Sequence, residues 1–310
     1  MEKHSRVYIA GHTGLIGSAI FRILKREGYN IFGVVHSDCE LTLKPDVDHL
    51  FKSYNPEYVF ICAAKVGGIG ANISSPADFI ESNLMVQSNI MNAACKYGTK
   101  KLLFLGSSCI YPKDCQQPIK EEYIMSGPLE PTNDAYAIAK IAGIKTAQAY
   151  RKQYGCNFIS VMPTNLYGPH DNYNLETCHV LPALIRRFHE AKIAEDKYVT
   201  LWGTGSPRRE FLYSGDCAEA CVMLMDKYDS GEIINIGYGC DYSILEISTV
   251  ISEIVGFQGQ IKFDPSKPDG MKRKLLDSSK INKLGWKPKT PIVDGIKKTY
   301  DSFLAGECRL

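Results

Sequence analysis

The chain has 310 residues, 45% of them apolar and 23% charged, the proportions of a globular protein with one large or two modest domains. A formal net charge of +2 argues against a nucleic-acid or membrane partner held by bulk charge. No apolar run approaches a membrane span, the first residues lack the apolar centre of a secretion signal, and the eleven cysteines include no C-x-x-C pair, so the expectation is reduced thiols in a cytoplasmic protein with no metal site.

Val7-Tyr8-Ile9-Ala10 reads as a short buried strand. Gly11-His12-Thr13-Gly14-Leu15-Ile16-Gly17 follows, a G-x-x-G-x-x-G loop that opens an amphipathic helix. Strand, glycine loop and helix in that order predict a dinucleotide site, with the pyrophosphate at the helix N-terminus. A second strand is expected over Ile31 to Val35. Beyond it, His36-Ser37-Asp38-Cys39-Glu40 offers no Lys or Arg for a 2′-phosphate, whereas Asp38 or Glu40 suits a free 2′-hydroxyl; a solvated loop is the plain alternative. Lys44-Pro45 is expected to break the chain before a helix through His49 and Phe51.

Tyr58 to Ala64 is the next buried strand, with small residues at its end, and Lys65 to Asn72 reads as a flexible loop on the ligand side of the sheet. Asp78 to Tyr97 predicts a long helix whose apolar residues occupy more than one side, for core packing or for a partner subunit. Leu102 to Leu105 is a buried strand ending in the small polar loop Gly106-Ser107-Ser108-Cys109-Ile110-Tyr111-Pro112. Further on, Tyr136 and Lys140 are spaced to share one helical face. An ammonium beside a phenol is expected to lower the phenol's pKa, and a strand-end serine can hold the same carbonyl oxygen; such a trio serves carbonyl reduction.

Phe158 to Met162 is another strand, leading into Pro163-Thr164-Asn165-Leu166-Tyr167-Gly168-Pro169 at the same sheet edge as Ser107. From about His170 the character changes. A helix over Val180 to Glu190 carries Arg186 and Arg187, and Val199 to Gly205 is a strand and turn before Pro207-Arg208-Arg209-Glu210-Phe211. Arg187 and Arg209 are permanently charged forks suited to a diphosphate. Helices over Asp216 to Met225 and Ser243 to Gly256 flank a strand at Ile233 to Gly237. A strand-like Ile261-Lys262-Phe263 precedes the basic turn Lys267-Pro268-Asp269-Gly270-Met271-Lys272-Arg273-Lys274, and a helix over Ile292 to Phe303 closes the chain.

The glycine loop, Ser107-x-Cys109, Tyr136-x-x-x-Lys140 and the block from Pro163 to Gly168 together resemble the extended short-chain dehydrogenase/reductases that act on nucleotide sugars. Leu103 to Lys113, Ala64 to Ile69, Glu130-Pro131-Thr132-Asn133, Tyr136 to Ile144 and Asn165 to Asn172 narrow the resemblance to the branch that makes GDP-L-fucose from GDP-4-keto-6-deoxy-D-mannose. The resemblance implies a doubly wound parallel α/β (Rossmann) domain over 1–170 and a smaller mixed α/β substrate domain over 171–310, the chain returning to the first around 211–237. It implies NADP(H), a GDP-sugar substrate, and a homodimer with neither nucleic acid nor membrane as partner.

The same resemblance distributes the roles. Ser107, Tyr136 and Lys140 handle the carbonyl, and Cys109 and His179 form the epimerisation pair. Substrate contacts fall on Ser108, Asn165, Arg187, Trp202, Arg209, Asp269 and Lys274. Cofactor contacts fall on Gly11, His12, Thr13, Gly14, Leu15, Ile16, Gly17, His36, Asp38, Glu40, Leu41, Ala63, Ala64, Leu105, Gly106, Ser107, Lys140, Pro163, Asn165, Leu166 and His179. The family commonly carries arginine in the glycine loop and after the second strand, where this chain has Thr13 and His36-Ser37-Asp38, so a weakened preference for NADPH is expected. Chemically, a ketone at carbon 4 acidifies the protons on carbons 3 and 5, and Cys109 can remove them if His179 or Lys140 depresses its pKa. The competing expectations are a nucleotide-sugar 4-epimerase with tightly bound NAD, which needs neither Cys109 nor His179, and a dinucleotide-sensing protein without chemistry.

Overall fold

The computed structural model describes residues 1–267 and 269–309; Pro268, in the basic turn, lies outside them. The chain runs β1 (Val7–Ala10), α1 (Leu15–Arg26), β2 (Ile31–Phe32), α2 (Lys44–Tyr54), β3 (Tyr58–Ile61), α3 (Ile69–Ser74), α4 (Pro76–Lys96), β4 (Lys101–Leu105), α5 (Asp134–Tyr154) and β5 (Phe158–Pro163). It continues through β6 (Asn165–Tyr167), α6 (Val180–Ile193), β7 (Tyr198–Trp202), β8 (Arg208–Tyr213), α7 (Ser214–Lys227), β9 (Ile234–Ile236), β10 (Asp241–Ser243) and α8 (Ile244–Val255). The last elements are β11 (Gln260–Asp264), β12 (Arg273–Lys274), α9 (Ser279–Lys283) and α10 (Ile292–Leu304).

Six parallel strands form one sheet in the order β2-β1-β3-β4-β5-β9. β1, β3 and β5 are buried at every position, which is why their sequences are unbroken apolar runs rather than alternating ones. Ile16, Ile20 and Leu24 of α1 pack with Ala218, Cys221 and Leu224 of α7 on one face. Val47 and Phe51 of α2, Ile90 and Met91 of α4, and Ile144 of α5 cover the other. Strand order reverses beside β1, so the ligand crevice lies at the carboxyl ends of β1 and β3.

A third core, built from α6, α8, α10, β7 and β8, joins Leu184, Phe188, Leu201, Phe211, Ile251 and Ile296. Its strands are short: β10-β8-β12 with β6 beside β8, and the separate pair β11-β7.

Local expectations needed adjustment. The second strand stops at Phe32 rather than Val35, because His12 lies across Gly33: a Cβ there would sit 2.2 Å from the imidazole Cγ. Lys44-Pro45 begins α2 instead of preceding it, since proline at the first helical turn removes an N–H that has no intrahelical acceptor. The loop expected over Lys65–Asn72 turns helical at Ile69. α4 packs on the sheet and on α5, where Gln87 Nε2 donates to the Ala139 carbonyl across 2.7 Å. All eleven cysteines are free thiols. Among the described residues no helix is long and apolar enough to cross a membrane.

Candidate active site

The glycine loop is fixed by close backbone packing. Gly11 has φ +80°, and a Cβ on it would lie 2.7 Å from the Ala63 nitrogen; one on Gly17 would lie 2.0 Å from the Gly11 oxygen. At these two glycines the loop, the chain just past β3 and the first turn of α1 approach backbone to backbone. The first-turn amides of Leu15, Ile16 and Gly17 have no backbone acceptor among the described residues, and Gly14 at the helix start offers no side-chain cap. Free amides at a side-chain-free helix start fit a pyrophosphate. Ala63 and Ala64, half-buried at the end of β3, border the same cleft.

The loop after β2 carries no Lys or Arg. His36 Nε2 lies 2.9 Å from Glu40 Oε2. Glu40 Oε1 also accepts from the Thr42 hydroxyl and amide, which hold its carboxyl below the usual range. Asp38 and Thr13 are exposed, and among the described residues Asp38 accepts only from Ser37 Oγ. The Leu41 carbonyl is occupied by Asn89 Nδ2. His12 Nδ1 is buried without a partner among the described residues, and burial lowers its pKa.

Past β4, Gly106 N–H donates to the Val161 carbonyl, which swings the chain over the end of β5. Ser107 is extended, and its Oγ accepts from the Cys109 amide at 3.2 Å, closing a single turn over Ser108–Ile110 with Ser108 buried. Lys140 is 3% exposed. Its Nζ donates to the Leu105 carbonyl at 2.9 Å and stands 5.8 Å from the centre of the Tyr136 ring. Burial pulls Lys140 down to about 8.

The Tyr136 phenol differs from expectation. Burial, and then the charge of Cys109, push its pKa up, with a hydrogen bond to Ser107 opposing them. Lys140 donates to the Leu105 carbonyl and not to the phenol, so burial prevails. Tyr136 is therefore a neutral phenol, suited to giving a proton rather than taking one.

Cys109 Sγ accepts from Lys274 Nζ and from Asn133 Nδ2, each at 3.4 Å. Burial alone would raise the thiol; the Lys274 charge and the hydrogen bonds from Ser107, Lys274 and Asn133 outweigh it and lower the pKa. The activating cation is thus Lys274, not His179 or Lys140. His179 opens α6 with its side chain free of any capping bond. The residue keeps solvent exposure, while burial among neighbouring atoms, with the nearby Lys274 charge, lowers the imidazole's pKa and makes its protonated form a ready proton donor. Gly68 N–H holds the preceding loop by donating to the Thr177 carbonyl at 2.8 Å.

The remaining expected contacts divide into groups. Arg187 is half-buried and free of partners among the described residues, whereas Arg186 is fixed by Glu190 and the Tyr173 carbonyl. Arg209 pairs in register with Lys274, and its Nη1 donates to the Arg208 and Met271 carbonyls. Trp202 is 62% exposed; nearby, Asp269 accepts from the Thr204 amide and hydroxyl. Pro163 is buried at the end of β5, and Leu166 is half-buried in β6. Asn165 Nδ2 is occupied by the Glu210 carbonyl. Glu210 itself is fully buried, accepting from the Gly239 and Leu276 amides, and burial raises its pKa.

Sequence reasoning did not single out Asn133, which touches Cys109, or Glu210, which backs the site from the interior by holding Asn165. Asn133 precedes a helix, where asparagine reads as a cap, and Glu210 follows two arginines, where a carboxylate reads as a surface partner.

A profile of the NAD dependent epimerase/dehydratase family matches residues 7–237. GDP-L-fucose synthase 1 of Arabidopsis thaliana is 53% identical over 308 residues, 99% of this chain and 95% of the relative. A GDP-6-OMe-4-keto-L-xylo-heptose reductase from C. jejuni superposes with a TM-score of 0.94 at 37% identity, covering 99% of both chains. A GDP-L-fucose synthetase from Naegleria fowleri bound to NADP gives 0.91 at 32% identity, covering 99% of this chain and 96% of that one. Similarity of this extent, over a glycine cradle and a Ser-Tyr-Lys constellation, shows that the chain belongs to the NAD dependent epimerase/dehydratase family and, within it, to the GDP-L-fucose synthase branch.

Proposed function

We propose that this protein converts GDP-4-keto-6-deoxy-D-mannose to GDP-L-fucose, inverting carbons 3 and 5 and then reducing carbon 4. The observation that carries the reading is the Cys109 thiol, seated between Lys274 and Asn133 two residues from Ser107. A simple reductase or 4-epimerase has no use for an activated thiol there.

The glycine cradle, the α1 amides, Ala63, Ala64, Leu105 and Gly106 fit NADP(H), with Thr13, His36 and Asp38 toward the adenosine ribose. When bound, the nicotinamide supplies the hydride for carbon 4. The chain's own residues do the rest. Ser107 Oγ and the Tyr136 phenol donate to the carbon-4 ketone and stabilise the enolate that forms when a neighbouring proton leaves. The Cys109 thiolate removes that proton, protonated His179 delivers one from the opposite face of the ring, and exchange with solvent resets both groups before the second inversion. After both inversions Tyr136 protonates the carbon-4 oxygen, and the Lys140 ammonium steadies the resulting phenolate. Arg187 and Arg209 offer forks to the diphosphate, and Trp202 a ring face.

The six-stranded sheet with its helices serves as the dinucleotide lobe and the third core as the sugar-nucleotide lobe. Two copies pair through α4 and α5, whose outer surface leaves Met85 and Ile138 exposed. The eleven free thiols favour a reducing, cytoplasmic setting.

The test is incubation with GDP-4-keto-6-deoxy-D-mannose and NADPH in D₂O, with the sugar read by NMR. The expected product is GDP-L-fucose deuterated at carbons 3 and 5. The Cys109→Ser protein should leave both carbons unlabelled and yield reduced sugar of the starting configuration. Full deuteration by that variant would assign the base to another residue.

A further inference from the structure

Asn133 stands immediately before α5, where an asparagine ordinarily caps the helix by accepting from the amides of its first turn. Its side chain makes no such bond. The amide nitrogen instead reaches back to the loop after β4 and donates to Cys109 Sγ, while Oδ1 of the same amide is buried without a partner among the described residues. A forfeited cap and an unsatisfied carbonyl are each destabilising. Two such departures in one side chain mark a position kept for something other than stability.

What that side chain touches is the sulfur already held by Lys274. The two donors differ in kind. The Lys274 ammonium acts by charge over a distance; the Asn133 N–H acts only along its own bond and so fixes where the sulfur points. We propose that Asn133 is a further catalytic residue, the neutral donor of a two-donor seat that holds the Cys109 sulfur as a thiolate aimed at the sugar ring. This rests on the reading of Cys109 as the proton-removing base. Once the sulfur has taken a proton, the same amide can turn its vacant Oδ1 toward the S–H, so the seat serves both protonation states.

The charged and titratable groups around the sulfur are Lys274 from β12, Tyr136 from α5 and, further off, Arg209 from β8. His179 lies within reach of the Lys274 charge, and Glu130 within reach of that of Arg209. Among the described residues, Lys274, Ser107 and Asn133 are the ones that bond to Cys109. Removing Asn133 therefore changes one donor and leaves the neighbouring charges in place.

The experiment follows alkylation of Cys109 by iodoacetamide over a pH series, read on its peptide by mass spectrometry, in the parent, Asn133→Ala and Asn133→Asp. Alkylation reports the thiolate and needs no substrate. In Asn133→Ala the inflection should move to higher pH, with neutral-pH alkylation about tenfold slower, the effect of one hydrogen bond to a charged group. Asn133→Asp keeps the shape and adds a negative charge, so it should move further. It also stands in should the alanine variant fail to fold. Deuterium entry at carbons 3 and 5 should slow in step, while NADPH affinity and melting temperature hold, because no cap is lost. An alkylation profile of Asn133→Ala coincident with the parent's overturns the proposal. Exchange abolished in Cys109→Ser but undiminished in Asn133→Ala overturns it alone; exchange intact in Cys109→Ser overturns the reading of the base as well.

Discussion

Lys140 and Lys274 bring two ammonium groups to one site, and their surroundings give them different tasks. Lys274 is spent on the Cys109 sulfur. Lys140 is buried against Phe104 and the Leu105 carbonyl, close enough to Tyr136 to steady a phenolate once the proton has gone. Burial pulls Lys140 down to about 8, so it is charged below that pH and neutral above it. The rate of carbon-4 reduction should therefore decline as pH rises through about 8, measured in single turnovers on pre-inverted substrate. Lys140→Arg, whose charge is permanent, should lose that decline. Tyr136→Phe removes the proton donor to the carbonyl oxygen and should slow reduction by about 10²–10⁴-fold. NADPH affinity, measured by fluorescence titration, should stay near the parent's; near-normal turnover in the folded variant would remove Tyr136 from its role.

At the scale of elements, the loop after β2 carries a prediction of its own. His36 is paired with Glu40, Glu40 is occupied by Thr42, and Asp38 is exposed, so no permanent cation waits for a 2′-phosphate on this loop. NADPH should be preferred over NADH by less than about a hundredfold in kcat/KM, some 2.7 kcal/mol. A larger ratio would mean that a cation from another element reaches the phosphate. The same scale explains which parts of the molecule could be read from the chain. β1, β3, β4 and β5 were legible because strands buried on both faces become unbroken apolar runs, and the glycine loop because its spacing follows from backbone contact. β6, β10 and β12 are three residues or fewer and owe their existence to β8, itself an unremarkable Arg-Arg-Glu run. Ser107, Tyr136 and Lys140 lie within one strand-to-helix segment and signal together. The Lys274–Cys109 contact joins residues 165 apart, and no local pattern encodes it.

For the whole molecule, the docking of the last residues sets a pH dependence of stability. Arg309 N–H donates to the Asp171 carbonyl, and Tyr173 N–H donates to that of Arg309, tying the chain's final segment to the loop that leads to His179. The Asp171 carboxyl is 3% exposed, one oxygen has no partner among the described residues, and burial raises it to about 7 from an ordinary 3.8. The fold thus holds a proton that the unfolded chain releases near pH 4, so stability falls as pH rises from about 4 to about 7 and is level beyond. Asp171→Asn should melt higher than the parent at pH 8, with the gap closing in acid; a gap independent of pH would remove the carboxyl as its cause. The place of β9 has a consequence for how the protein is made. β9 pairs with β5, yet the chain runs through β6, α6, β7, β8 and α7 before supplying it. On a ribosome adding 5–20 residues per second, the apolar edge Val161–Pro163 waits roughly 4–14 s for Ile234–Ile236. During that time it is an open template for another nascent chain. A fragment cut at residue 170 would keep that edge open permanently, so the dinucleotide half should aggregate when expressed alone and gain solubility when residues 214–236 are grafted back.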